Sequence, residues 1–143
     1  DGTSLTTNLA NTAPEVKYNV CFPKAGRYWI WVRGSGPNAQ GDAIAFGIDG
    51  IPKATANPFV LFKKGVDGTA DWQWRGRINN IDTGNRAYVD VPSPGFHNFN
   101  LYMRNDGARL DKIYLTTTNN TPSFAETSNA GPNANVAIQC EKN

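Results

Sequence analysis

The sequence is poor in the residue types on which most catalytic sites depend. Its 143 residues include one histidine, His97, two cysteines and one methionine. One histidine and two cysteines are too few for a zinc site built within this chain. Ser-His-Asp or Cys-His catalysis would depend on His97 alone. Hydrolytic mechanisms of these kinds are therefore disfavoured.

Net charge and long apolar runs are also scarce. There are 14 Lys+Arg against 12 Asp+Glu, a net charge of +2, whereas nucleic-acid-binding domains normally carry a dense basic face. No run approaches the ~18 consecutive apolar residues of a membrane span, and no charged-then-apolar leader opens the sequence. We expect neither nucleic acid nor membrane as a partner, and we interpret residues 1–143 as one domain excised from a larger secreted enzyme.

Glycine, proline and aromatic residues are plentiful. The chain holds 14 Gly and 9 Pro, and 11% of its residues are aromatic, which favours strands and tight turns over helices. No segment has a convincing helical period. The pattern predicts an all-β fold, an antiparallel β-sandwich of about nine strands, most simply a jelly roll. The predicted strands are 15–22, 27–33, 42–48, 59–62, 72–78, 86–91, 96–104, 109–117 and 135–141.

Alternation along these strands predicts which side chains face the core. In strand 96–104 it places Phe99, Leu101 and Met103 inward and Tyr102 outward. Strand 27–33 is apolar on both faces, so we expect the outer set of side chains to be covered by a neighbouring segment.

The two cysteines lie in strand-like runs near the two ends of the core. Cys21 and Cys140 are either two buried free thiols or one disulfide, and we favour the disulfide. A bridge that closes so long a loop stabilises the fold by ~4–5 kcal/mol in the chain-entropy model and implies an exported, extracellular protein.

Two segments resemble a known family. The runs AGRYWIWVR at 25–33 and GFHNFNLYMRNDGARLDKIYL at 95–115 are similar, in order and spacing, to a pattern of carbohydrate-binding modules of families six and thirty-five. The resemblance covers roughly residues 18–122. It implies a β-sandwich attached to a secreted enzyme, which binds glycan and catalyses no reaction of its own.

The resemblance also raises the question of calcium. Those modules hold a structural calcium with two Glu of the first strand and the Asp of the L-D-x-I-x-L strand. Asp111 stands at the matching Asp position, but no Glu precedes Glu15. Calcium normally needs six or more oxygen ligands, so a structural calcium at Asp111 is the one cofactor to be tested.

The loops suggest where a ligand binds. If strands alternate in direction, loops 34–41, 63–71 and 92–95 and the segment after 117 lie at one end, and loops 49–52, 79–85 and 105–107 lie at the other. The first end has the longer and more polar loops, and binding sites concentrate in such loops. An aromatic ring stacks on a sugar's C–H face, and Asn, Asp and Lys bond its hydroxyls. The candidate ligand-binding residues are Trp72, Asp71, Asn38, Asp42, Lys64, Asn119, Asn120 and Trp74.

The leading hypothesis is a non-catalytic carbohydrate-binding module that binds a polysaccharide or oligosaccharide and targets an attached glycan-degrading catalytic domain. A second is a structural or adhesive domain that packs on its parent enzyme. A third is a small jelly-roll polysaccharide lyase that uses Tyr102, Arg104 and His97, although alternation puts His97 on the other strand face.

Two aspects of the leading hypothesis stay open at this stage. A sheet-face site at Trp29 or Trp31 is the alternative to the loop-end site. The basic residues between Gly50 and Val89 outnumber the acidic ones, which would suit a uronate or sulfated sugar, but they equally fit a solvated face.

Overall fold

The computed structural model describes residues 4–38, 41–63, 72–126 and 130–133. Ten strands lie in these ranges: β1 Glu15–Phe22, β2 Gly26–Gly36, β3 Ala43–Ile48, β4 Ile51–Pro52, β5 Phe59–Val60, β6 Phe62–Lys63, β7 Gln73–Arg75, β8 Tyr88–Val91, β9 Gly95–Met103 and β10 Arg109–Thr116. Two four-residue helices, α1 Leu9–Thr12 and α2 Ser123–Glu126, and a 3-10 turn at Ala54–Ala56 complete the described elements. The predicted strand 135–141 lies outside the described residues.

The strands form two packed sheets, which confirms the predicted antiparallel all-β sandwich. The first sheet has the order β1-β9-β3-β4, with β5 also on β3. The second has the order β10-β2-β6, with β7 and β8 also on β2. Among the described pairs, β2 and β6 run parallel over two residue pairs and the others run antiparallel.

The core lies between the sheets and is built by alternation. Ile30 and Val32 of β2 point into it from the second sheet, and Phe46 of β3 and Phe99 of β9 from the first. All four side chains are at most 1% exposed. Phe46 stacks on Phe99 with ring centres 5.1 Å apart, so aromatic rings of neighbouring strands fill the first sheet's side of the core.

The outward side of the first sheet is buried around Tyr102, which corrects the prediction for this residue. As expected, Phe99 and Leu101 pack on the core. Tyr102 points outward but is 0% exposed, because the N-terminal segment covers it. Leu9 of α1 and Ala45 pack against its ring in a second, smaller cluster. Alternation predicted the direction of this side chain correctly but could not show that another segment covers it.

Strands β7 and β8 run in the same direction, and this reverses part of the predicted loop layout. Both pair antiparallel with β2, with Gly34 opposite Gln73 and Trp29 opposite Tyr88. They are two parts of one interrupted strand rather than successive alternating strands. Between them residues 77–86 form a hairpin, joined by a bridge between Arg77 and Arg86. Strands β8, β9 and β10 are therefore reversed relative to the sequence prediction.

Candidate functional site

All four tryptophans of the chain lie on one side of the molecule, the outer face of the second sheet. Trp29 and Trp31 alternate with the core residues of β2. Trp74 lies opposite Arg33 in the β2–β7 register. Trp72 precedes β7 and packs near Arg33, whose guanidinium is 5.9 Å from the centre of its ring. This outer face is therefore aromatic as well as cationic.

A pocket of about 290 Å³ opens on this face. The hairpin forms one wall, and Thr121 of the segment that follows β10 forms another. Three arginine side chains and one carboxylate line it together with two tryptophans, and we call it the arginine pocket. Its lining residues are Trp31, Trp74, Arg75, Gly76, Arg77, Ile81, Asp82, Arg86 and Thr121.

The arginines are held in place by short contacts. The guanidinium of Arg86 lies 4.3 Å from the ring centre of Trp31 and donates to the hydroxyl oxygen of Thr121 at 2.5 Å. Arg77 donates to the carbonyl of Gly84 within the hairpin. Burial, and after it the positive charge of Arg77, lower the pKa of Arg86. The guanidinium of Arg77 thus lies close enough to disfavour the charge on Arg86.

The segment after β10, which we call the C-terminal strap (117–126 and 130–133), covers the outer face around Trp74 and Tyr114. Phe124 packs on Trp74 and Tyr114, with ring centres 4.8 and 5.1 Å apart. Lys112 donates to the carbonyls of Ala130 and Pro132. As a result Trp74 is only 3% exposed and Trp31 only 6%. The tryptophans therefore form the floor of the pocket rather than an open stacking platform.

The predicted loop-end residues are only partly brought together. Trp72 is partly exposed and lies between Arg33 and Arg109, whose guanidinium is 5.4 Å from its ring centre. Asn38 is exposed, whereas Asp42 is buried.

Other predicted site residues lie elsewhere or outside the description. Lys64 and Asp71 lie outside the described residues. The expectation that Asn119 and Asn120 share the end of Trp72 is wrong, because β10 runs from Arg109 opposite Ser35 to Thr116 opposite Trp29. Both are exposed and directly precede Thr121 of the arginine pocket.

Asp111, the predicted calcium ligand, forms an ion pair. One of its carboxylate oxygens lies 2.5 Å from Nη1 of Arg33, at the point where the β2–β10 register is interrupted. Within the described ranges, no three His, Cys, Asp or Glu side chains come together in a group that could hold a metal ion. The structure thus gives Asp111 an arginine partner, and the calcium prediction stays untested.

His97 forms a contact with Asp49 and Ser93 that superficially resembles a catalytic triad. Its Nδ1 is 2.7 Å from Asp49 Oδ2, and its Nε2 is 2.9 Å from the Ser93 carbonyl and 3.2 Å from the Ser93 hydroxyl. Both ring nitrogens face acceptors, so the arrangement favours the doubly protonated ring, and the hydrogen bond to Asp49 raises the pKa of His97. Such a ring cannot accept a proton from Ser93.

The three residues of the lyase hypothesis do not form one site. Tyr102 is fully buried, and burial followed by the charge of Glu15 raises its pKa to about 12. Arg104 donates to the carbonyl of Leu5 and to Asn57 Oδ1. His97 lies towards the opposite end of β9, where it pairs with Val20. The geometry therefore gives this hypothesis no support.

The first cysteine is placed, but the predicted bridge is not described. Cys21 is buried in the edge strand β1, in register with Phe96 of β9. Cys140 lies outside the described residues. The Cys21–Cys140 disulfide stays a prediction, and so does the extracellular location that it implies.

Comparison with known families decides what kind of domain this is. The family model described as the glycosyl hydrolase family 115 C-terminal domain matches residues 2–134. The chain belongs to that family. It is thus a domain associated with a carbohydrate-active enzyme. The resemblance to carbohydrate-binding modules implied the same association. The family that matches is glycosyl hydrolase family 115 rather than the carbohydrate-binding families six or thirty-five.

A curated relative gives this family 115 C-terminal domain a wider context. This chain is 29% identical over 126 residues to the protein P23 of Formosa agariphila, which is described as uncharacterized. The alignment covers 85% of this chain but 29% of P23, so the chain spans less than a third of that relative's length. No solved structure matches the chain. In the described part of the domain, no helix has the length and apolar character of a membrane span.

The arginine pocket was largely missed by sequence reasoning on this family 115 C-terminal domain. The sequence predicts a sheet-face site at Trp31 as an alternative, but it does not place Arg77, Arg86 and Thr121 beside it. The available signal was the pair of arginines flanking an Asn- and Gly-rich turn. In a hairpin such arginines lie opposite each other, and their side chains share one face.

Proposed function

We propose that this domain binds glycan without catalysing a reaction, at the outer face of the second sheet with the arginine pocket as the centre of the site. The observation that carries this proposal is a pocket on the one face that collects all four tryptophans. Glycan sites are concave, with aromatic walls and a few fixed polar groups. Membership in a glycosyl hydrolase family supplies the context in which such a domain would act.

In this proposal the predicted residues Trp72 and Trp74 keep a role, but their roles differ. Trp72 is partly exposed and extends the site towards the loop end. Trp74 is buried and forms the floor of the pocket. Binding would raise the effective concentration of an attached catalytic domain at its polysaccharide, since tethering makes the second encounter intramolecular.

A second candidate function is a structural domain that packs on its parent enzyme. The burial of Trp31 and Trp74 beneath Arg86 and Phe124 favours it, because side chains so covered stabilise the strap whether or not a ligand binds. A structural domain would retain no glycan, which separates the two functions experimentally.

The proposal is tested by affinity gel electrophoresis against a panel of neutral and acidic polysaccharides, followed by NMR with the retained ligand. The four indole N–H signals are reporters of the site because all four tryptophans lie on this face. We expect retardation, shifted signals of Trp31 and Trp72, and weaker retardation of Trp72→Ala. The control is Tyr18→Ser, which alters an exposed side chain of the first sheet.

Two results would contradict the proposal. If the gel retards the domain in no polysaccharide, the structural function replaces it. If a glycan binds but leaves all four indole signals in place, the domain binds glycan elsewhere and the assigned site is wrong.

A further inference from the structure

The arginine pocket is lined by more arginines than carboxylates. Three arginines line it against one carboxylate, Asp82. Within the described part of the chain, neither Arg77 nor Arg86 forms an ion pair with a carboxylate, since their contacts are the Gly84 carbonyl, the Thr121 hydroxyl and the Trp31 ring. Arg27 and Arg33, by contrast, are paired with Asp90 and Asp111.

The hairpin places two of these charges directly opposite each other. Arg77 and Arg86 are partners in the antiparallel bridge, and like charges at opposed positions destabilise a strand pair. Partial burial increases the repulsion because less water screens it. Such an arrangement weakens the hairpin by itself, and an anion bound between the two guanidinium groups would relieve the repulsion.

We infer that the arginine pocket binds the anionic group of an acidic sugar, a carboxylate or a sulfate ester, between Arg77 and Arg86. This inference rests on the proposed glycan binding and names the ligand class of the same site. Guanidinium groups match the geometry of carboxylate and sulfate oxygens and form charge-assisted hydrogen bonds to them. The hydroxyl of Thr121, which accepts from Arg86, keeps its own proton to donate to a ligand oxygen.

The test compares three oligosaccharides of one backbone: neutral, uronate-bearing and sulfated. Their dissociation constants are measured by titration calorimetry with the whole domain. We expect at least one acidic ligand to bind more tightly than the neutral one, and its affinity to fall as sodium chloride is raised. Whichever acidic form binds more tightly distinguishes a carboxylate from a sulfate as the recognised group.

Three pocket variants and one control connect the preference to the pocket. Arg77→Gln and Arg86→Gln should each weaken acidic-ligand binding by about tenfold, as expected for one lost charge-assisted hydrogen bond. Arg77→Lys should retain part of the affinity because it keeps the charge. Lys17→Gln removes the same charge from the first sheet and should change nothing. Thermal unfolding of each variant shows whether it is folded.

The outcomes separate this inference from the proposed function. Equal affinity for neutral and acidic ligands, with no effect of the arginine variants, overturns the anionic inference and leaves glycan binding in place. Absence of binding to all three ligands, and to the wider polysaccharide panel, overturns the proposed function and the inference with it.

Discussion

Each of the two outer faces of the sandwich is covered in part by a segment outside the sheets, but with different chemistry. On the first sheet, Leu9 of α1 seals Tyr102 and Ala45 in a small apolar cluster. On the second, the C-terminal strap and the hairpin cover tryptophans with arginines and leave a pocket. The same architectural device thus completes the fold on one side and builds a candidate binding site on the other.

This difference shows how to separate stability from recognition in the domain. An apolar seal contributes through burial, so removing part of it should lower the free energy of unfolding and leave binding unchanged. A cationic cover costs stability through like charges, and its variants should chiefly change binding. The predictions below test this distinction.

The largest effect is expected for Tyr102→Ala. Deletion of a fully buried aromatic side chain should lower the free energy of unfolding by about 3–5 kcal/mol, because it leaves a cavity beneath the N-terminal segment. Denaturant unfolding measures the change. Tyr102→Phe, which keeps the ring, is the matched control. A loss of glycan affinity in a folded Tyr102→Ala domain would contradict the proposed division between the two faces.

A smaller effect on stability, joined to an effect on binding, is expected for Gly76→Ala. A methyl group at this position would lie 2.9 Å from the Trp31 ring, so the buried indole must shift. Overpacking of this kind costs about 1–3 kcal/mol and should displace Arg86 from the pocket.

Gly76→Ala is checked by chemical denaturation together with glycan titration. The matched control is Gly26→Ser, since space is open around Gly26 although its positive φ makes that substitution strained. The control should lose stability without losing affinity. If Gly76→Ala binds glycan as tightly as the wild type, Trp31 does not position the site.

The smallest expected effect is a pH-dependent contribution of the His97–Asp49 contact to the free energy of unfolding. The pKa of His97 is raised by its hydrogen bond to Asp49, and that of Asp49 is lowered by its hydrogen bond to His97. The stabilisation from the histidine is therefore complete below its ordinary pKa of 6.5. It is lost as the pH rises through the higher pKa that the histidine has in the folded domain. The stabilisation from the aspartate is present above its ordinary pKa of 3.8. It is lost as the pH falls through the lower pKa that the aspartate has in the folded domain.

Melting temperatures across pH should thus differ most between the wild type and His97→Gln from about pH 4 to 6.5, and less above neutrality. Asp49→Asn is the matched variant, because asparagine tolerates the positive φ of Asp49 (51°). It should lose the same pH dependence. A constant difference at every pH would contradict the protonated His97 contact.

Much of the fold could be predicted from sequence, because local signals fixed it. Strand β1 has the predicted bounds, and the Asp49-Gly50 turn has the positive φ angles that its sequence indicates. The direction of β8 could not be predicted, since two strands on one partner look the same in sequence as two alternating strands. That single reversal moved Asn119 and Asn120 away from Trp72.

The candidate site was less predictable than the fold for a related reason. Alternation gives the direction of a side chain, so it could place Trp31 on the outer face. It does not give the segment that covers that face, and the pocket exists only because Arg86 and Thr121 come from distant parts of the chain. A site of this kind forms where segments distant in sequence pack over a sheet face, and local sequence patterns do not reveal that packing.

The interrupted strand has a consequence for protein engineering. The hairpin leaves the sheet at Gly76 and returns at Ala87, where Ala87 N donates to Gly76 O at 3.0 Å and closes its base. The hairpin is also bonded to the segment around β5, since Val60 N donates to Arg77 O and Asn79 N donates to Pro58 O, and its Ile78 packs in the core. The turn at 80–84, which lies beyond these anchors, is therefore the natural graft point, at which libraries of varied sequence would alter ligand preference while the sandwich stays constant.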